Sequence, residues 1–361
     1  GATGPSPSPP MVSPSLSPPP PRRRKALALA LVGLLFLGSA FLVLANLDAI
    51  QRFFRGVPDN NWAFVSTQAD GLHALGLTGA GVVVCIVDSG IDLGHPDLAG
   101  VEPAAWRDFV GREPEPYDDH GHGTFMAGLI VGRGLIRGFA PDVALVVAKA
   151  IDASGVGNGA DILGALAFCM NPFGNGTQSH IISLSLGGGG VPAGPVVDRV
   201  NEAIDRGILV VAAAGNDGPS ASDIQNPASL DLVIAVGSVD DGLTVSGFSQ
   251  GGQNGGRLDP NKKPEVVAPG EGLATTGLGG SYVSVAGTSA ASAIVSAILA
   301  LVLEGEPSLQ GLLSALGVSG IKVALMATAA PLDGQAEPHD RLAGYGLIQG
   351  VDLLEALRLG A

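Results

Sequence analysis

Five short runs rich in valine and isoleucine constrain this chain most: "GVVVCIVD" (81–88), "VALVVAKA" (143–150), "HIISLSL" (180–186), "ILVVAAAG" (208–215) and "LVIAVGSV" (232–239). They are continuously apolar rather than alternating, the pattern of strands buried on both faces of a parallel sheet. Helical stretches lie between or beside them: "GTFMAGLIVG" (123–132), "ADILGALAFCM" (160–170) and "PVVDRVNEAIDRG" (195–207). The last puts Val196, Val200, Ala203 and Ile204 on one face, with Asp198, Arg199, Glu202 and Asp205 elsewhere, and ends at Gly207. Residues 290–303 form a further run, small or aliphatic throughout. It is too short to cross a bilayer and reads as a helix buried all round. The alternation predicts an α/β fold: a doubly wound, mostly parallel sheet with right-handed crossovers and helices on both faces. Functional residues of such sheets gather at the carboxyl ends of the strands.

Four residues at the ends of these elements carry chemistry. Asp88 closes the first strand, and a carboxylate directly after an apolar run is costly to bury unless a cation or donor meets it. His122 stands in "DDHGHGTFMAG", Asn216 follows the fourth strand in "AAAGNDG", and Ser289 opens the long apolar helix. Each has an ordinary reading by itself, as a turn residue or a helix cap. Together they supply a nucleophile, a base to take its proton, a carboxylate to orient that base and a donor for an oxyanion. Gly90, Gly123, Gly215 and Gly287 beside them permit close backbone approach.

The order Asp, His, Asn, Ser resembles that of the subtilisin-like serine proteases, the subtilases. The segments that carry the likeness are "VDSGID" with "HPDL", "HGT" with "MAG", "SLSLGG", "VVAAAGN", "KPEVVAPG" and "GTSAAS". They run in family order from about residue 60 to the C-terminal "GYGLIQGVDLLEAL". The resemblance implies a serine endopeptidase with Asp88 as orienting acid, His122 as general base and Ser289 as nucleophile. It makes Asn216 the oxyanion-hole side chain, Ser185, Leu186 and Gly187 the strand that pairs with substrate backbone, and Asp217 an acid at the rim of the first specificity pocket, favouring basic side chains there. Protein or peptide substrates are the implied partners. Decay to a binding module and an esterase using the same triad are the competing readings.

The likeness has departures. Ser289-Ala290-Ala291-Ser292-Ala293-Ile294 replaces the usual Ser-Met-Ala-Ser-Pro-His, losing a proline preset for the first helical turn. Between "MAG" and "GFAP" stands only "LIVGRGLIR", shorter than the family's calcium loop and without Asp, Asn or Glu. No cofactor and no metal is therefore expected; the usual calcium site is read as lost, although Asp97 remains. About 40 residues separate the apolar N-terminal span from Asp88, too few for a folded inhibitory prodomain.

Residues 1–25 are a Pro/Ser-rich tail ending in "RRRK", expected to be disordered. Residues 26–47 are 22 uncharged residues, enough to span a membrane as an uncleaved signal-anchor, with a cleaved signal peptide as the alternative. Basic residues before the span place the N-terminus inside. A tether (48–59) then leads to a peptidase domain (60–361) outside the cytoplasm, at the cell membrane, or secreted if the signal is cleaved. Beyond residue 25 the chain carries 15 basic and 33 acidic groups, which repel phosphate backbones and argue against nucleic-acid binding. Cys85 and Cys169 sit in apolar settings and are expected as two buried thiols rather than a bridge.

Overall fold

The computed structural model describes residues 47, 51–52, 56–187, 194–311, 315–336 and 338–360. The expected tail and membrane span, apart from Leu47, lie outside the described residues. Residues 1–51 and 52–361 separate into two units, and the second holds every element named below.

Two short helices, α1 (Asn61–Ser66) and α2 (Ala69–Ala74), precede the sheet. The strands of the sheet are β1 (Val83–Asp88), β2 (Ala105–Asp108), β3 (Ala144–Lys149), β4 (Ile181–Leu184), β5 (Leu209–Ala213), β6 (Ile234–Val239) and β7 (Val266–Pro269). They pair in the order β2-β3-β1-β4-β5-β6-β7, every pair parallel. Every residue of β1, β4, β5, β6 and β7 is buried. Side chains of a strand alternate between faces, so both faces of the sheet are covered. The cover comes from α3 (His122–Val131), α4 (Gly159–Cys169), α5 (Pro195–Asp205) and α6 (Thr288–Gly305). Helix α3 packs on α6, α6 packs on β4 to β7, and α4 packs on α5. An antiparallel pair, β8 (Glu271–Thr276) and β9 (Tyr282–Ala286), leads into α6, and α7 (Ala315–Thr328) and α8 (Gly350–Gly360) close the chain.

The strand order reverses direction at β1, which lies between β3 and β4. The carboxyl ends of β1 and β4 therefore flank the crevice where such sheets place their sites. Helix α6 is the one described helix long and apolar enough to cross a membrane, and it is 89% buried in the core. Its sides face the sheet, α3 and α8 rather than lipid.

One expectation fails here. Cys85 and Cys169 form a disulfide across 84 residues. The middle of β1 and the last residue of α4 meet with Cα atoms 5.7 Å apart, within bridging range. Apolar surroundings at each cysteine did not reveal that the two surroundings are the same one.

A second buried link joins β6, β7 and α7. Glu265, Lys263 and Lys322 are fully buried, with Glu265 Oε1 at 2.8 Å from Lys263 Nζ and 2.7 Å from Lys322 Nζ. Lys263 also donates to Val233 O at 2.6 Å, and Glu265 Oε2 accepts from Ala235 N at 2.7 Å. Burial first, and the neighbouring Lys322 charge, push the Lys263 ammonium down to about 7 despite the attraction of Glu265.

Candidate active site

Strand β1 delivers Asp88 to the crevice with its carboxylate 2% exposed. Oδ1 accepts from Ser89 N at 2.7 Å and from His122 Nδ1 at 2.8 Å. A carboxylate can only accept here, so Nδ1 carries the proton and Nε2 is the basic nitrogen. Burial alone would depress the imidazole. The Asp88 charge and hydrogen bond, with Asp118 behind them, more than offset it and hold His122 above its ordinary value of 6.5.

His122 is the first residue of α3, which starts after Gly121 in a left-handed conformation (φ 104°). Glycine at 123 lets this helix approach the end of β1: a Cβ there would lie 2.8 Å from Gly90 N. Ser89 and Asp118 complete the joint. Ser89 Oγ accepts from Gly123 N at 2.9 Å and donates to Asp118 Oδ1 at 2.9 Å. Asp118 further accepts from Gly121 N at 2.8 Å, Thr124 N at 2.9 Å and Thr124 Oγ1 at 2.6 Å. Burial works against the Asp118 charge, but these donors prevail and hold its carboxyl below the usual range. Lys149, fully buried at the end of β3, donates to Ser89 O and Asp119 Oδ1, both at 2.6 Å. Sequence reasoning assigned Ser89, Asp118 and Lys149 no role. Two adjacent acids just upstream of His122 were the available signal.

Between Gly287 and Leu303 every residue is buried except Ser289, at the mouth of α6. Its Oγ donates to Ser185 O at 3.3 Å. Beneath it, Ser292 Oγ donates to Ser289 O at 2.9 Å and meets Ser185 Oγ at 3.2 Å. The fully buried Ser292 thus ties the first turn of α6 to the segment after β4. Asn216 Oδ1 accepts from Thr288 N at 2.9 Å and from Thr288 Oγ1 at 3.0 Å. A backbone N–H must face the amide oxygen, so the Nδ2 hydrogens face away from Thr288. Thr288 Oγ1 also accepts from Gly215 N at 3.1 Å, fixing the turn that carries Asn216.

His122, Asn216 and Ser289 line one open cleft of about 670 Å³, together with Ser185, Leu186 and Gly187. Ile151, Ile162, Val196 and Val197 contribute apolar lining to it. The Ser185 hydroxyl points into the protein toward α6, so only the main chain at 185 is placed to meet a ligand. Asp217 is exposed and does not line the cleft. Its Oδ2 accepts from Gln225 Nε2 at 3.0 Å, and it is Gln225 that reaches the cleft wall.

Asp97, expected to remain from a lost calcium site, is 4% exposed and both its carboxylate oxygens are met by protein donors. Oδ2 accepts from Ile136 N at 2.6 Å and Oδ1 from Tyr282 OH at 2.9 Å. A Cβ on Gly134 would collide with the carboxylate, so the short loop lies directly against it. Val57, Ile136 and Ala274 pack as a small apolar cluster.

A sequence model of the subtilase family matches residues 79–346. The chain is 35% identical over 263 residues to serine protease AprX of Bacillus subtilis (strain 168), covering 64% of this chain and 59% of that protein. It is 38% identical over 250 residues to M-protease of Shouchella clausii (strain KSM-K16), covering 68% and 60%. It is 38% identical over 250 residues to subtilisin Savinase of Lederbergia lenta, covering 68% and 85%. The chain spans about three fifths of the length of the first two relatives. With its parallel sheet, its His122–Asp88 pair and these matches, the chain belongs to the subtilase family.

Proposed function

We propose that this chain is a serine endopeptidase that cleaves proteins through an acyl-enzyme. The reaction requires the Ser289 hydroxyl to turn from Ser185 O to His122 Nε2, across the cleft that both residues line. The oxygen attacks the scissile carbonyl carbon while Nε2 takes its proton, and Asp88 stabilises the imidazolium. The oxyanion receives the Asn216 Nδ2 hydrogen and the Ser289 N–H, a first-turn donor at the positive end of α6. His122 then returns the proton to the departing amine, and the amine leaves. A water, deprotonated by the same nitrogen, attacks the acyl carbon; the bond to Ser289 Oγ breaks, His122 returns the proton to that oxygen, and the second product leaves as the acid. The substrate lies extended, its main chain paired with residues 185–187.

The single observation that carries this reading is the 2.8 Å bond between His122 and the buried Asp88, with His122 lining the same cleft as Ser289, the one residue between Gly287 and Leu303 that is not buried. A fluorophosphonate tests it. The purified chain is expected to be labelled and to digest a denatured protein, and Ser289→Ala to do neither. Labelling that survives Ser289→Ala would overturn the assignment.

Asp97 is read as a metal-free clasp, since its oxygens are filled by protein donors and the short loop offers no further carboxylate. We also place the domain outside the cytoplasm, held by residues 26–47 as a signal-anchor. The Cys85–Cys169 bridge supports an oxidising compartment.

A further inference from the structure

The carbonyl carbon of a bound substrate sits over Ser289 with its oxygen toward Asn216, so the side chain of that residue falls into the part of the cleft beside them. Gly187 and Gly215 flank this part, and Gln225 lies against both. A Cβ on Gly187 would collide with Gln225 Oε1, and one on Gly215 would sit 2.8 Å from Gln225 Cγ. The half-buried Gln225 thus fills the space beside Gly187 and shares the space beside Gly215 with Gln250, whose Oε1 would collide with a Cβ there. Its backbone N donates to Ala214 O at 2.9 Å, which fixes where the side chain starts. Its Nε2 donates to Asp217 Oδ2, and a carboxylate can only accept, so the amide is oriented: nitrogen toward Asp217, oxygen toward Gly187. No described residue donates to that oxygen.

We propose that Gln225 determines which residue is accepted on the carbonyl side of the scissile bond. It shortens the pocket, which excludes aromatic and long apolar side chains. It presents a carboxamide oxygen, which favours a short side chain with a hydrogen-bond donor, such as asparagine or serine. It also occupies Asp217, the acid that would otherwise draw basic side chains. This inference rests on the peptidase reading and goes beyond it by naming the substrate class.

The test is a peptide series varying only that residue (Asn, Ala, Lys, Phe), read as kcat/KM. The unmodified chain is expected to prefer Asn over Phe by about tenfold or more. Gln225→Ala is expected to raise Phe about tenfold, to raise Lys as Asp217 is uncovered, and to lower Asn several-fold. Gln225→Asn, one methylene shorter with the amide retained, should fall between the two and serves if Gln225→Ala folds poorly. Equal cleavage of Asn and Phe by the unmodified chain, or an Asn/Phe ratio unmoved in a well-folded variant, overturns the inference while leaving the nucleophile in place. If Ser289 is not labelled by fluorophosphonate and no peptide is cut, the peptidase reading itself fails, and this inference with it.

Discussion

Nδ1 of His122 and Oδ1 of Asp88 meet at 2.8 Å although 34 residues separate them, one opening a helix and the other ending a strand. The buried carboxylate holds the imidazole above its ordinary value, and only the neutral ring can take a proton from Ser289. Activity should therefore be low at acid pH and rise through a midpoint above 6.5. In Asp88→Ala the ring loses the charge that raised it, so the midpoint should move to lower pH while kcat falls by about 10⁴. A pH profile of kcat/KM on both proteins checks the shift and its direction.

Asn216 has its oxygen anchored by Thr288, so its donor is preorganised. Asn216→Ala should lower kcat by about 10²–10³ with little change in KM, because the donor is needed mainly when the oxyanion forms. Steady-state kinetics on one peptide separates the two constants.

The Glu265 carboxylate stands between two buried ammonium groups. Glu265→Gln should destabilise the fold by about 3–5 kcal/mol, measured by urea unfolding, because it strands buried positive charge. Lys263 adds a pH signature. Its folded value of about 7 lies below the ordinary 10.5, so between those values the unfolded chain holds more protons. Stability should rise with pH across that window and be lost as pH falls through about 7, and Lys263→Met should flatten this slope.

The Cys85–Cys169 bridge closes a long loop between two buried positions. The double variant Cys85→Ala/Cys169→Ala should lose about 2–4 kcal/mol of stability and retain activity at room temperature. Thiol titration of the unfolded, unreduced chain should find none at these positions.

Asp97→Ala removes the acceptor for Ile136 N and Tyr282 OH. A loss of about 1.5–3 kcal/mol is expected, the same with calcium or with chelator. Thermal unfolding under both conditions reads it, and a chelator effect on the unmodified chain that disappears in Asp97→Ala would contradict the metal-free clasp.

The interior strands were legible because burial on both faces leaves no polar alternation, as in Val83–Asp88. Strand β2, "AWRD", escaped notice because it is an edge strand with partly exposed side chains. The β8–β9 pair, "EGLATT" and "YVSVA", is too polar to register as a strand pair. It is held from outside itself, by Thr275 and Thr276 hydroxyls donating to Phe125 O and Thr124 O of α3. At the site, residue type and order singled out Asp88, His122, Asn216 and Ser289 as candidates, and the structure pairs the first two and sets the last three along one cleft. Order could not show that Gln225, eight positions beyond Asp217, would turn back and cap it, nor that Cys85 would find Cys169. Both depend on side-chain direction after folding, which spacing along the chain does not encode.

Helix α6 is wedged among β4 to β7, α3 and α8, and from Thr288 to Leu303 only Ser289 is not buried. A nucleophile mounted there cannot be withdrawn without dismantling the interior, so a dormant form reached by displacing the serine is closed to this fold. Restraint of the proposed activity has to act from outside, by obstructing the trough or by withholding what enters it.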